Sequence, residues 1–278
     1  MTDISTLAAE TSRLLNFYQG AESTINTKLN QVLQADPKKV YKYYVDKFDG
    51  DDANDGLTEA TAFRTLNKIS ILVQNNIDNY RFSIFSIYLK SQSGQDNSYI
   101  IDREIIFSQM RVSWRAYGIN RSDSSSFAVI KFNSRLVENT VFTTRIFLYG
   151  SHISFRYINI ETPEHTGGSV RGEASSCFRL IDSIFQLEHT VNDARSEWKI
   201  GMIPLFNCTR IASSIILRNV SLTTDLADVS NINFALSNSG PISFAYNNLI
   251  YVSPLTPENV SIGSDIRSVY GYIPFQAN

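Results

Sequence analysis

The chain has 278 residues, long enough to bury a full core, and its 25 basic and 27 acidic side chains leave a net charge of -2. That balance excludes a broad field steering it to nucleic acid or an anionic membrane. Two cysteines, Cys177 and Cys208, are too few for a disulfide framework and are expected as buried free thiols, while 14 Tyr and 17 Phe among many Ser, Thr, Asn and Ile favour strands over a helical bundle.

The first segment, residues 1–36, carries Ile4, Leu7, Leu14, Ala21, Ile25, Leu29 and Val32 three, four or seven apart. It reads as an amphipathic helix with Thr11 and Tyr18 in its seam and a register shift before Leu29. The seam is narrow, which suits packing against identical helices. Asp36-Pro37 ends the helix.

Residues 37–79 hold the most specific stretch, YYVDKFDGDDANDGLTEATAFRTLNKI. Tyr43-Tyr44-Val45 reads as a strand, Asp49 to Gly56 as a tight polar turn, and Phe63, Leu66, Ile69 and Leu72 as one face of a helix. This run resembles the opening motif of pectate-lyase-like β-helix proteins, in which a strand and an Asn-Asp-Gly turn precede a short helix covering the first coil. Phage tailspikes and tail fibres commonly carry that opening. The resemblance implies a structural role for Phe63, Leu66 and Ile69. Asp49, Asp51, Asp52 and Asp55 lack the spacing of a calcium loop, so the turn reads as a solvated cap without metal.

Residues 80–254 alternate short strand-like runs with turns, among them Phe82 to Leu89, Arg111 to Trp114 and Val129 to Phe132. An offset of 31 residues aligns Ile146, Cys177 and Cys208; Ile153, Ile184 and Ile215; and Ile160, Val191 and Leu222. Polar columns form from Ser151, Asp182 and Ser213 and from Asn159, Thr190 and Ser221. The column Phe155, Gln186, Leu217 breaks in its middle member. A further coil continues with an offset of 27, aligning Ile242 with Ile215, Phe244 with Leu217 and Leu249 with Leu222. Such columns are the signature of a solenoid, in which equivalent residues of successive coils stack one strand spacing apart. They predict neighbouring thiols at Cys177 and Cys208. Residues 255–278, with Tyr270 and Tyr272 in an irregular context, read as a C-terminal cap.

The expected fold is therefore mainly β, a right-handed parallel β-helix on an N-terminal α-helical stalk, and the seam and the resemblance together imply a homotrimer. No basic start precedes an apolar run at Met1, and no apolar run approaches the roughly 20 residues that span a bilayer. A soluble product made without a signal peptide, and without membrane insertion, is expected.

No phosphate loop, HExxH, paired CxxC or GxSxG is present, so no cofactor is expected. His152, His165 and His189 have no second ligand at metal spacing and are expected in turns or on the surface. The resemblance implies a virion tail protein that adheres to host surface polysaccharide and joins other virion proteins through its N-terminal segment. A polysaccharide depolymerase is the enzymatic alternative, with Glu161 and Asp193 near the required carboxyl separation of about 5 to 9.5 Å and Glu188 nearby. A structural fibre or adaptor is the other. For carbohydrate binding, the candidates are Tyr157, Glu188 and Trp198, expected on or beside the outer face of adjacent coils.

Overall fold

The computed structural model describes residues 39–163, 176–189, 194–201, 206–208, 213–229, 232–233, 235–237, 242–256, 260–261 and 266–272, and in the N-terminal segment 10–14, 16–18, 20, 21 and 24. The chain forms two compact units, Met1–Lys39 and Val40–Asn278. In the first, the described residues are helical, and Leu14, Phe17 and Tyr18 are exposed. The other seam residues lie outside the described ones, apart from Thr11 and Ala21.

The second unit is mainly β. It opens with β1 (Val40–Val45), helices α1 (Leu66–Asn75) and α2 (Ile77–Tyr80), and β2 (Ile84–Lys90). There follow β3 (Ser98–Ile101), β4 (Ile105–Ser108), β5 (Arg111–Tyr117), β6 (Ala128–Phe132), the hairpin β7 (Ser134–Val137) and β8 (Thr140–Thr143), and β9 (Ile146–Tyr149). The next strands are β10 (His152–Arg156), β11 (Ile158–Glu161), β12 (Phe178–Ile181), β13 (Ile184–Glu188), β14 (Ser196–Lys199) and β15 (Phe206–Cys208). The last are β16 (Ser213–Thr223), β17 (Ile232–Asn233), β18 (Ala235–Ser237), β19 (Ile242–Tyr251), β20 (Val260–Ser261) and β21 (Ile266–Tyr272).

Parallel pairing joins these into a 12-stranded sheet with two arms, curled into a half-barrel. The first arm runs β1-β2-β5-β10-β13-β16 and on through β19 to β21. The second runs β3-β6-β11-β14 and meets the first on β16, whose leading half pairs with β13 and trailing half with β14. A separate 5-stranded sheet has the order β4-β9-β12-β15-β18. From β2 to β15 the chain visits first arm, second arm and third sheet in the same order, so each pass adds one strand to each.

Alternation within the strands explains the arrangement. In β5, Val112, Trp114 and Ala116 are buried while Arg111, Ser113, Arg115 and Tyr117 face outward. The period of two fills one side of each strand with apolar groups. The core is strongly aromatic: Phe178 and Phe185 lie 5.0 Å apart by ring centroid, Phe185 and Phe206 4.7 Å, and all three are fully buried. Each buried Phe contributes roughly 1.5 to 3 kcal/mol of hydrophobic transfer.

Left-handed residues turn the corners. Gln109, Gly150 and Asp182, with φ of 54°, 54° and 50°, each end a pass through the third sheet, and Tyr157, Asn219 and Asn248, with φ of 58°, 56° and 58°, stand between the two arms. Asparagine tolerates this region better than most residues. Asn248 also donates from Nδ2 to Asn219 Oδ1 at 2.9 Å, and the Arg195 guanidinium donates to the Asn248 carbonyl and Oδ1 at 2.8 and 2.9 Å.

The register corrects the expected columns, by one residue on β13 and by more elsewhere. Ile153 pairs with Phe185, and Phe185 with Ile215, so the offsets are 32 and 30 in place of 31 twice. Ile184 turns outward and is 38% exposed. The same shift puts Leu187 between Phe155 and Leu217, which removes the broken column. In the third sheet Phe178 pairs with Ile146 and with Phe206, offsets of 32 and 28, and Cys208 pairs with Leu180, so the register does not set Cys208 beside Cys177. Trp198 stands between Ile160 and Leu222; Val191 lies outside the described residues. The next pass aligns Ile215 with Phe244 and Val220 with Leu249, an offset of 29, not 27. Tyr270 and Tyr272, expected in an irregular context, belong to β21, a strand of the first arm.

The cap is built as its residues require. Tyr44 and Asp46 exchange backbone hydrogen bonds with the Gly56–Phe63 segment, Asp46 N–H reaching Phe63 O at 2.7 Å. A Cβ on Gly50 would sit 2.3 Å from Asp46 O and 2.4 Å from Phe63 O; one on Gly56, at φ +70°, would sit 2.3 Å from the Phe63 ring. Both glycines are thus demanded by backbone approach. The carboxylates serve the turn: Asp52 Oδ1 accepts from the N–H groups of Arg64 and Thr65 at 2.9 Å, and Asp55 Oδ1 accepts from Leu57 N–H and the Thr61 hydroxyl. The helix buries Leu66, Ile69, Ser70 and Val73, the spacing of one helical face, while Phe63 precedes it and Leu72 is only half-buried.

Candidate functional site

Two of the three expected sugar-binding residues are interior. Trp198 is fully buried against Phe185 and Phe206, at ring distances of 6.2 and 5.6 Å, because its register places it in the inward column of the second arm. That placement corrects its expected position on the outer face. Tyr157 is 7% exposed, its ring packed between Phe127 at 5.6 Å and His189 at 5.2 Å, with Arg121 over its ring at 5.3 Å. Glu188 faces out and pairs with Arg218 at 3.0 Å.

Of the expected carboxyl pair, only Glu161 is among the described residues. Glu161 lies on the second arm, bound to Lys131 at 2.9 Å and aligned with Lys199, which in turn pairs with Asp225. Glu188 lies on the first arm. Each of these two carboxylates is held by a cation of its own arm, and Asp193 lies outside the described residues. His165 does too. His152 sits on the outer face, bonded to Gln186 at 2.8 Å, as a surface histidine should be. His189 is buried instead: it stacks on Phe127 at 5.4 Å and 8°, its Nε2 accepts from Tyr157 N–H at 3.3 Å, and it bonds the Ser196 hydroxyl. It is a packing and corner residue.

What the fold does assemble is the outer face of the first arm, built row by row from parallel register. A central row of small or polar side chains runs Ser86, Ser113, Ser154, Gln186. On one side stand Ile84, Arg111, His152 and Ile184; on the other Tyr44, Tyr88, Arg115 and Arg156. Short side chains between long ones make a shallow trough perpendicular to the strands.

Its cap-proximal end is aromatic. Tyr44 and Tyr88 stack at 5.0 Å and 17°, Tyr117 meets Tyr44 edge-on at 5.7 Å, and Lys90 lies over the Tyr117 ring at 5.0 Å. All three tyrosines are half-buried, presenting an apolar body with a polar rim. Burial pushes the Tyr117 hydroxyl well above the usual tyrosine range, aided by the charges of Asp46 and Glu59, so it stays neutral, and its oxygen is itself buried. Burial also raises Tyr44, with Tyr88 and Glu59 adding to it.

A second concavity of about 330 Å³ lies where the β7–β8 hairpin leaves the coil. Asp102, Glu104, Arg135, Phe142, Thr143 and Arg145 help line it, and Arg145 Nε donates to Glu104 at 3.0 Å within it. Among the described residues, no group of three or more His, Cys, Asp or Glu could hold a metal, and no helix is long and apolar enough to cross a membrane.

The trough escaped sequence reading because aromatic type was taken as the sign of an exposed binding residue. Strict alternation in Arg111 to Tyr117 and Ile84 to Lys90 carried the signal: every second residue there is polar, basic or tyrosine, save Ile84. No protein-family model matches the chain, and a search of curated proteins finds no match.

Proposed function

We propose that this chain is an adhesive fibre protein of a phage virion, of the tail-fibre or tailspike kind, that binds host surface polysaccharide through the outer face of its first arm. The parallel sheets close as a right-handed β-helix, and three chains associate through the exposed helical seam at Leu14 and Tyr18. The N-terminal segment joins the virion. One observation carries the binding reading: a stacked tyrosine cluster stands at the end of a hydroxyl-bearing trough on a rigid parallel sheet. Saccharide recognition needs apolar faces beside hydrogen-bonding groups fixed in place, and side chains on strands supply both at little ordering cost.

Binding is favoured over cleavage. Glycoside hydrolysis takes two carboxyl groups flanking one bond, whereas Glu161 and Glu188 each answer to a cation on a separate arm. An array of bacterial capsules and lipopolysaccharides tests the proposal. Wild type should bind at least one glycan, Tyr88→Ala should weaken that binding about tenfold by loss of an aromatic contact, and no reducing ends should appear. Sedimentation should give a trimer. A chain that binds no glycan at all is an adaptor and ends the adhesion reading.

A further inference from the structure

We infer that the polysaccharide bound by this face is acidic, a linear glycan bearing carboxylates, gripped by the arginines that border the trough. This inference rests on the adhesion reading above and adds the charge of its ligand.

The whole chain carries a net charge of -2, yet the outer face of the first arm is basic. Lys42, Lys90, Arg111, Arg115, Arg156 and Arg218 face outward there. Against them, among the described residues of those strands, stands one carboxylate, Glu188, already taken by Arg218. The second arm has no such excess, since Lys131 pairs with Glu161 and Lys199 with Asp225.

The arginines of the trough lack carboxylate partners among the described residues. Among the described residues Arg115 reaches the Ser113 hydroxyl, at 3.4 Å, and Arg156 leans over the Tyr157 ring at 5.9 Å. Arg115 and Arg156 are direct neighbours across parallel strands, at a spacing of about 4.8 Å. Like charges so placed repel and destabilise the pair. A bound anion converts that repulsion into attraction, and a guanidinium presents paired N–H groups matched to a carboxylate.

The rows between the cations select the class of polymer. Ser86, Ser113, Ser154 and Gln186 line the trough with hydroxyls and an amide, each able to donate and accept, which suits a chain of hydroxyls punctuated by charges. A nucleic-acid strand needs separate aromatic platforms for its bases, whereas Tyr44 and Tyr88 are already stacked on each other.

The test uses the full chain and three uronate polymers, polygalacturonate, alginate and hyaluronan, each beside the same polymer with its carboxyl groups reduced to alcohols. Interferometry should show at least one uronate polymer bound about tenfold or more tighter than its reduced form, with affinity falling steeply as salt rises. The triple variant Arg111→Ser, Arg115→Ser, Arg156→Ser should lose that preference, whereas Lys131→Gln on the second arm should keep it. Without ligand, the triple variant should melt no lower than wild type, because a repulsive pair has been removed. Equal binding of native and reduced polymers overturns the inference and leaves adhesion standing. Binding of single-stranded DNA as tight as that of any uronate polymer overturns it as a saccharide site. If no uronate polymer binds while a neutral glycan does, the charge inference alone fails; if no glycan binds, both readings fail.

Discussion

The Ser183 hydroxyl accepts a hydrogen bond from the backbone N–H of Ser151 at 3.2 Å, one strand below it in the same corner. Ser213 does the same for Ser183 N–H at 3.3 Å, and Ser151 for Met110 N–H at 3.2 Å. The three serines are buried, and they tie successive passes together where the backbone leaves the third sheet for the first arm. Ser183→Ala should therefore cost about 1 to 2 kcal/mol through the lost bond and the buried donor left behind. A urea titration measures it; an unchanged midpoint would mean the ladder contributes nothing.

The cap should be intolerant of side chains at its glycines. Gly56→Ala forces a Cβ into the Phe63 ring at a positive φ, and Gly50→Ala forces one against two carbonyl oxygens. Each should cost about 3 kcal/mol, among the larger single-residue effects. Gly94, also at positive φ but with nothing within 4 Å of its Cβ position, should cost less than either. Thermal melts of the three alanine variants rank them.

Lys47 fastens the cap to the start of β3, donating to the Asp96 carbonyl at 2.8 Å, the Asp96 carboxylate at 2.9 Å and the Ser98 carbonyl at 3.1 Å. Hydrogen bonds from Ser98 and Lys47 hold the Asp96 carboxyl down to about 2. The unfolded carboxyl titrates near 3.9, at about the ordinary aspartate value. With the folded value depressed, this contribution is complete above the unfolded value and is lost as pH falls toward 2. Asp96→Asn should flatten that part of the acid limb of stability. Denaturation midpoints of both proteins from pH 5 to 2 check it, and parallel curves would refute it.

Cys177 is fully buried, and burial alone raises its thiol well above the ordinary range. The native protein should leave it unmodified by a thiol-reactive dye at pH 8, and denaturant should release it. Rapid labelling of Cys177 in the folded state, located by peptide mass, would contradict the core packing.

Much of the architecture could be read before any coordinates. The tyrosine strand, the glycine-bounded acidic turn and a helix after it follow from local chemistry that admits few alternatives, although Phe63 precedes that helix and its buried face runs through Val73, not Leu72. Strand existence was legible for the same reason, because alternation leaves little choice of face once one residue is assigned. Register was less legible: β13 stands one residue from the expected alignment, β19 two, and Trp198 takes the place expected of Val191, seven residues away. Ile184 and Phe185 are adjacent and both apolar, and so are Cys177 and Phe178, so hydrophobicity alone does not say which of each pair points inward. Corners decide it: the left-handed residue at Asp182 and the bond from Ser151 N–H to the Ser183 hydroxyl set the phase. The trough was missed for a related reason. Whether a tyrosine is a corner plug like Tyr157 or a surface platform like Tyr88 depends on register, not on residue type.

The central claim is that the first arm's outer face is the surface that meets the glycan. A crystal structure of the chain with an oligosaccharide cut from whichever polymer it captures tests this most directly. The account predicts sugar rings along Ser113 and Ser154, bordered by Arg111 on one side and Arg115 and Arg156 on the other, with one end against Tyr88. An oligosaccharide seated instead in the concavity at Glu104 and Arg135, with the trough bare, would contradict it.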